Sequence, residues 1–199
     1  MIPAVILAAG ASSRMGQPKA LLTLDDRSFI RRILDTLAQS KVREAVVVVR
    51  PESDAVVREI AASGFGRAVV NPDPARGQLS SLVIGLDAVD GPRVAAALVT
   101  LVDVPLVTTE TVEALIARAA VSRAPIVRAT YRNVHGHPVI FKRELFDALR
   151  RADPAAGAKA VVRAHAVDDV EVDDPGVAQD VDTPDDYRRV LDVKNPRIV

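Results

Sequence analysis

The run "AVVVV", Ala45 to Val49, is apolar at every position. A strand with one face in water alternates apolar and polar residues. A strand with no polar position must be covered on both faces, as the inner strands of a parallel sheet are. "VILAA" near the N-terminus and "AAALVTLVDV", which ends at Asp103, have the same character, and "RAVVN" reads as a further strand. Helical patterns separate these runs. From Phe29 onward Ile30, Ile33, Leu34 and Leu37 recur at helical spacing. Ser53 is placed to cap a helix with Val56, Val57, Ile60 and Ala61 on one side. "QLSSLVIGLDAV" reads as a helix weakened by Gly85. Thr108 or Thr109, with Glu110 next, opens a helix with Val112, Leu115, Ile116 and Ala119 in register. This β-α alternation predicts a three-layer α/β/α sandwich around a mainly parallel, Rossmann-like sheet. Ligands of such sheets sit outside the carboxyl ends of the strands.

After Arg123 the pattern loosens. "APIVRATY" and "HPVIFK" read as two strands of a hairpin-like insert, followed by helical stretches at Glu144 to Arg151 and Ala155 to Ala164, and a short strand in "VEVDD". "TPDDYRRVL" is a helix start, with Thr183 as N-cap, Pro184 in the first position and Asp185 and Asp186 in the first turn. The expectation is a single domain over residues 1–193 and a frayed tail over 194–199.

Composition narrows the function. Lys+Arg and Asp+Glu number 26 each, and aromatic residues make up 3% of the 199. A balanced charge argues against a nucleic-acid partner held by bulk electrostatics, and few aromatics argue against base-stacking platforms. Without cysteine, disulfides, thiolate metal sites and cysteine nucleophiles are excluded. No basic stretch precedes the first apolar run, and no segment approaches the roughly 18 apolar residues of a membrane span, so the expectation is a cytoplasmic protein with no membrane partner.

The first strand runs into "LAAGASSRMGQPK", Leu7 to Lys19, which has two glycines, Ser12 and Ser13, Arg14 and Lys19, and no acid. Such a loop can wrap a polyphosphate with backbone N–H groups and two cations; a mobile turn with solvated charges is the structural alternative. It lacks the P-loop spacing, because Gln17-Pro18-Lys19 follows Gly16, and the dinucleotide fingerprint, because Ala11-Ser12 follows Gly10. Asp103 stands at the tip of an apolar strand, where a carboxylate is costly unless it faces a site; a surface turn is the alternative. Asp182, with Asp180 as a weaker competitor, is a second acid that could equally punctuate the turn before Thr183.

The loop resembles the signature L-A-[AG]-G-x-S-x-R-M-G-x-x-K of the MobA-like nucleotidyltransferases, the family containing the molybdenum-cofactor cytidylyl- and guanylyltransferases, and every fixed position matches. "LVDVP" is similar to the family's D-x-P, "QDVDTPDDY" to its late D-[IV]-D-T-P-x-D, "NPDPARGQLSSLVIGL" to its N-P-x-x-x-x-G-x-x-S-S-L-x-x-G-L, and "HGHPVIF" to its G-H-P-[VI]-x-F. The resemblance implies the nucleotide-diphospho-sugar transferase type of fold. It implies Mg²⁺ held by Asp103 and Asp182, and an NTP bound by Leu7, Ala8, Ala9, Gly10, Arg14, Lys19, Asn71, Gly77, Ser80 and Ser81. Arg14, Lys19 and Asp103 would carry catalysis, and His137 would line the acceptor side. The implied reaction is nucleotidyl transfer from an NTP to a phosphorylated acceptor with loss of pyrophosphate. Ala9 resembles the cytidylyl-using members, which favours CTP over GTP. The favoured acceptor is molybdopterin cofactor, with a molybdoenzyme as a possible client. GTP, or a sugar- or alditol-phosphate acceptor, is the alternative within this class, and a non-catalytic nucleotide-binding regulator or chaperone is the alternative outside it. One segment departs: where cofactor-modifying members carry G-D-x-G-A-R, this chain keeps Gly157 and Ala158 but has Ala155 for the acid and Lys159 for the arginine. That leaves the nucleotide side intact and the acceptor open.

Overall fold

The computed structural model describes residues 1–12 and 15–194. β1 (Ala4–Leu7) is followed by a short hairpin of β2 (Thr23–Leu24) and β3 (Arg27–Ser28). Ser28 then caps α1 (Phe29–Ala38), its hydroxyl accepting from the Arg31 N–H. β4 (Ala45–Val49), α2 (Asp54–Ser63), β5 (Gly66–Val70), α3 (Gln78–Val89), β6 (Ala96–Leu101) and α4 (Thr109–Val121) come next. The remainder holds β7 (Ile126–Tyr131), β8 (Val134–Lys142), α5 (Phe146–Arg150), α6 (Ala158–Ala164), β9 (Val167–Glu171) and α7 (Pro184–Lys194).

Among the described residues, a sheet of 7 strands runs in the order β5-β4-β1-β6-β8-β7-β9. β8 is antiparallel to both neighbours, and the other ladders are parallel. Successive side chains of a strand point to opposite faces, and β1 divides accordingly. Ala4 and Ile6 join α1, α2 and α4 on one side, through Ile33, Leu34, Val56, Ile60, Val112 and Leu115. Val5 and Leu7 join α3, α5 and α6 on the other, through Leu82, Leu86, Phe146, Leu149 and Val161. These are the three layers that the apolar runs predict. A third, smaller cluster seats α7: Val181 and Val190 pack with Leu22, Leu24 and Phe29, Tyr187 meets Phe29 edge-on at 6.0 Å, and the Tyr187 hydroxyl donates to the Thr23 carbonyl at 2.6 Å.

Local expectations fare unevenly. Thr183 and Asp186 form a reciprocal capping box: the Asp186 N–H donates to Thr183 Oγ1 at 3.2 Å and the Thr183 N–H to Asp186 Oδ2 at 2.8 Å. Thr108, rather than Thr109, caps α4. Ser53 occupies the N-cap position of α2 but makes no side-chain cap bond. The hairpin expected as an insert is built into the sheet, with Val139 of β8 paired to Val99 of β6. β9 lies upstream of the expected "VEVDD", because Val167–Glu171 pairs in register with Ile126–Thr130. The last helix includes Lys194, and residues 195–199 lie outside the described residues.

Gly85 explains itself once α3 is docked on the sheet. A Cβ there would stand 2.3 Å from Val5 Cγ1 and 3.1 Å from Val48 Cγ2, so the bare backbone lets the helix lie directly on β1 and β4. Its cost in helix propensity is offset by that close approach. Gly85→Val is expected to destabilise the fold by about 1–3 kcal/mol or more through overpacking, seen as a lower urea midpoint in equilibrium unfolding.

Candidate active site

The strand order turns back beside β1, with β4 and β5 on one side and β6 on the other. In an open α/β sheet the crevice at this switch point is where ligands bind. A cleft of about 430 Å³ lies there, bordered by the loop after β1, the loop after β6, the start of α3 and the approach to α7. Leu7, Ala9, Gly10, Lys19, Gly77, Ser81, Asp103 and Asp182 all line it, together with Ser12 and Gln78.

Its charged centre is a lysine between two carboxylates. Lys19 opens a short 3-10 turn, Lys19–Leu21, and its own N–H donates to Ser12 Oγ at 3.2 Å. Its Nζ donates to Asp103 Oδ2 at 3.1 Å and to Asp182 Oδ1 at 2.5 Å. The Lys19 side chain is 12% exposed, against 20% for Asp103 and 53% for Asp182. Burial alone would lower the Lys19 pKa, but the Asp182 hydrogen bond and the charge and hydrogen bond of Asp103 outweigh it and hold the pKa above its ordinary value. The two acids are brought together by main chain, since the Val181 N–H donates to the Asp103 carbonyl at 2.9 Å. Asp103 Oδ1 is buried and has no hydrogen-bond partner among the described residues.

That orphaned oxygen is where the donor set can accept a metal. Mg²⁺ typically takes one or two carboxylates and completes its shell with water and substrate phosphates. Asp103 and Asp182 fit that demand. No group of three His, Cys, Asp or Glu forms an all-protein cage among the described residues. Asp180 stands close enough to feel the same field: burial, then the charges of Asp103 and Asp182, push its carboxyl above the usual range.

The start of α3 forms another wall of the cleft. Gly77, at φ +89°, turns the chain into the helix and leaves the first-turn N–H groups without a side-chain cap beside the cleft, an arrangement suited to anions. Asn71 stands behind this turn. It is 1% exposed, and its Nδ2 donates at 2.9 Å to both Ser80 Oγ and Ser81 Oγ. Its Oδ1 accepts from the Asp73 N–H at 3.0 Å. Ser80 in turn donates to the Gly77 carbonyl at 2.7 Å. Asn71 and Ser80 therefore build the turn, and Ser81 is the hydroxyl presented to the cleft.

Other residues singled out in the sequence lie elsewhere. Ala8 is on the opposite side of the loop, its N–H donating to the Val48 carbonyl at 2.8 Å. His137 does not line the cleft: its Nδ1 faces the Val99 carbonyl at 3.4 Å, and burial lowers its pKa against the opposing influence of Val99 and Asp103. Arg14 lies outside the described residues. A larger groove, about 1120 Å³, opens between α1, α4 and α7, where Arg27 pairs with Asp35, Arg189 with Asp186, and Asp174 is engaged by Thr108 and Thr111. The chemistry-bearing groups meet in the smaller cleft.

Nothing in the sequence pattern marks Asp174, yet it organises the approach to Asp182. It is 4% exposed, and its carboxylate accepts from the Thr108 N–H at 2.9 Å, Thr108 Oγ1 at 2.9 Å, Thr111 Oγ1 at 2.6 Å and the Gly176 N–H at 2.9 Å. It ties the segment leading to Asp182 onto the start of α4. The Asp-Pro-Gly turn it opens does not by itself name a remote partner.

The fold is a three-layer α/β sandwich with its cleft at the switch point of the sheet, the architecture of a nucleotide-handling domain. The chain belongs to the MobA-like NTP transferase domain family, whose profile matches residues 4–170. It is 31% identical over 173 residues to the Bifunctional protein GlmU of Mycolicibacterium vanbaalenii, a match covering 81% of this chain and 35% of that protein. The chain thus spans about a third of that relative's length. It is 25% identical over 190 residues to the molybdenum cofactor cytidylyltransferase of Escherichia coli K12, covering 94% of this chain and 93% of that one. Among solved structures, Rv0371c of Mycobacterium tuberculosis H37Rv superposes with a TM-score of 0.83 at 31% identity, covering 96% of this chain and 98% of that one. A complex of Rv0371c with manganese superposes at 0.78, with the same identity and coverage. No helix among the described residues is long and apolar enough to cross a membrane.

Two outcomes are expected from this geometry. Asn71→Ala removes the donor shared by both serines; it should cost about 1–3 kcal/mol of stability, as lost buried hydrogen bonds do, and should weaken nucleotide binding measured by calorimetry. The lowered His137 pKa means that the unfolded chain binds this proton more readily than the folded one. The associated stability is complete above the ordinary histidine value of 6.5 and is lost as pH falls from there toward the folded pKa. The urea midpoint should fall over that window in the native protein, with a shallower fall in His137→Asn.

Proposed function

We propose that this protein transfers a nucleotidyl group from an NTP to a phosphorylated small-molecule acceptor with release of pyrophosphate, with CTP as the favoured donor and molybdopterin cofactor as the favoured acceptor. The observation that carries the reading is the meeting of Lys19, Asp103 and Asp182 at the switch point, with Asp103 Oδ1 lacking a hydrogen-bond partner among the described residues, beside the start of α3. Mg²⁺ held by Asp103 and Asp182 would supply charge neutralisation on the triphosphate and its leaving group. The manganese complex of Rv0371c supports a divalent ion in this role. Lys19, together with Arg14, holds the phosphates. The Gly77 turn and the Ser81 hydroxyl offer donors to the same nucleotide from the opposite wall of the cleft, and orientation supplies much of the rate.

The nucleophile is the acceptor's phosphate monoester, largely dianionic at neutral pH because its second pKa is about 6. No general base is required, which agrees with a site whose nearby histidine faces a backbone carbonyl. CTP is favoured because Ala9, buried at 4% exposure, puts a methyl group on the cleft wall where glycine would leave more room for a purine. The cytidylyltransferase of E. coli, matched almost end to end, supports the acceptor.

The test is pyrophosphate release across the four NTPs with Mg²⁺, with and without molybdopterin acceptor. Release with CTP that depends on the acceptor is the expected result. Lys19→Ala should lower kcat by about a hundredfold or more, the scale of losing one charge-stabilising group. Near-native turnover in that variant would sink the mechanism, and nucleotide binding with no release under any acceptor would make the protein a regulator instead.

A further inference from the structure

The position of the Lys19 ammonium has a meaning beyond holding phosphate. It lies 3.1 Å from Asp103 Oδ2 and 2.5 Å from Asp182 Oδ1, so one cation spans the two carboxylates that suit a divalent ion. The ammonium and a dication bound to those same oxygens cannot occupy that space together, and at such range their like charges repel strongly. The lysine's charge can move without its backbone moving. Its backbone is fixed by the Ser12 contact and by the short turn Lys19–Leu21, while the charge sits at the end of a four-carbon stem that can swing by rotamer change alone.

The geometry points to Lys19 as the resident counter-ion of the Asp103–Asp182 pair in the nucleotide-free protein, occupying the metal's position until a metal–triphosphate complex arrives and exchanges with it. This rests on the metal site of the proposed function. Charge balance drives the exchange. Two carboxylates and one ammonium carry a net negative charge; the dication neutralises the carboxylates, and the released ammonium finds a new partner in the triphosphate. A bare divalent ion offers the lysine no such partner and has to evict it against the two carboxylates. Metal and nucleotide therefore enter together, and the empty enzyme does not collect free cations between its acids. Asp182, the more exposed of the two acids at 53%, is the side from which the ion arrives, and Asp103 Oδ1, buried and without a hydrogen-bond partner among the described residues, is left to be satisfied once the ion is seated.

The experiment measures Mn²⁺ binding to the full chain by loss of the free-ion electron paramagnetic resonance signal, without nucleotide and then with a non-hydrolysable CTP analogue. The native protein should bind Mn²⁺ weakly alone. Lys19→Met, which keeps the stem and removes the charge, should bind the ion at least tenfold more tightly without nucleotide, and Lys19→Arg should stay close to the native value. Because Lys19→Met leaves two acids facing each other, the comparison is repeated in an Asp182→Asn background, where only one acid is left unpaired. There too, removing the lysine should tighten Mn²⁺ binding. Equal or weaker Mn²⁺ affinity on removal of the lysine, in whichever background folds by circular dichroism, overturns the inference and leaves the metal site standing. No Mn²⁺ binding by any form, with or without the analogue, removes that site and this inference with it.

Discussion

The structure depends on burying the first and fourth strands on both faces. Ala4, Val5, Ile6 and Leu7 of β1 are at most 8% exposed, and the five residues of β4 at most 1%. Strands of that kind are stable only with helices on both sides and strands on both edges. Their place in the middle sets the strand order, and the turn-back beside β1 opens a crevice at the carboxyl edge. Gly10, Ser12 and Lys19 fall there because they follow β1, and Asp103 because β6 is β1's other neighbour. The site is a consequence of which strands can tolerate water.

The same physics decides what the sequence could reveal. The parallel half was legible because its signals are local: apolar runs, helical spacing, and caps such as Thr183 with Asp186. Placement of β8 between β6 and β7 was not, since an antiparallel strand inside a parallel sheet arises from pairing between distant segments such as Val99 and Val139. β9 was misplaced for a related reason: "VEVDD" is apolar enough to be a strand, but the ladder with β7 starts at Val167.

The candidate site divides in the same way. Residue types and spacing drew attention to Lys19, Asp103, Asp182, Gly77 and Ser81, and the fold gathers them in one cleft. The sequence could not say which neighbours face that cleft and which support it. Asn71 and Ser80 look like ligand contacts in the chain, yet their hydrogen-bonding groups are engaged with the turn that displays Ser81. Asp174 looks like turn punctuation, yet it satisfies donors on two segments far apart in sequence. Such roles are set by tertiary contacts, which leave no periodic trace.

The bond from the Val181 N–H to the Asp103 carbonyl, with Asp174 fastened to the start of α4 nearby, makes the spacing of the two acids a property of the main chain. Everything between them, from α4 through β7, β8, α5, α6 and β9, loops out from that fastening and returns to it. Insertions or rewritten surfaces in this excursion leave the distance between the carboxylates untouched. The stretch between the two acids can therefore change in length and surface while the main-chain fastening that sets their spacing is inherited unaltered.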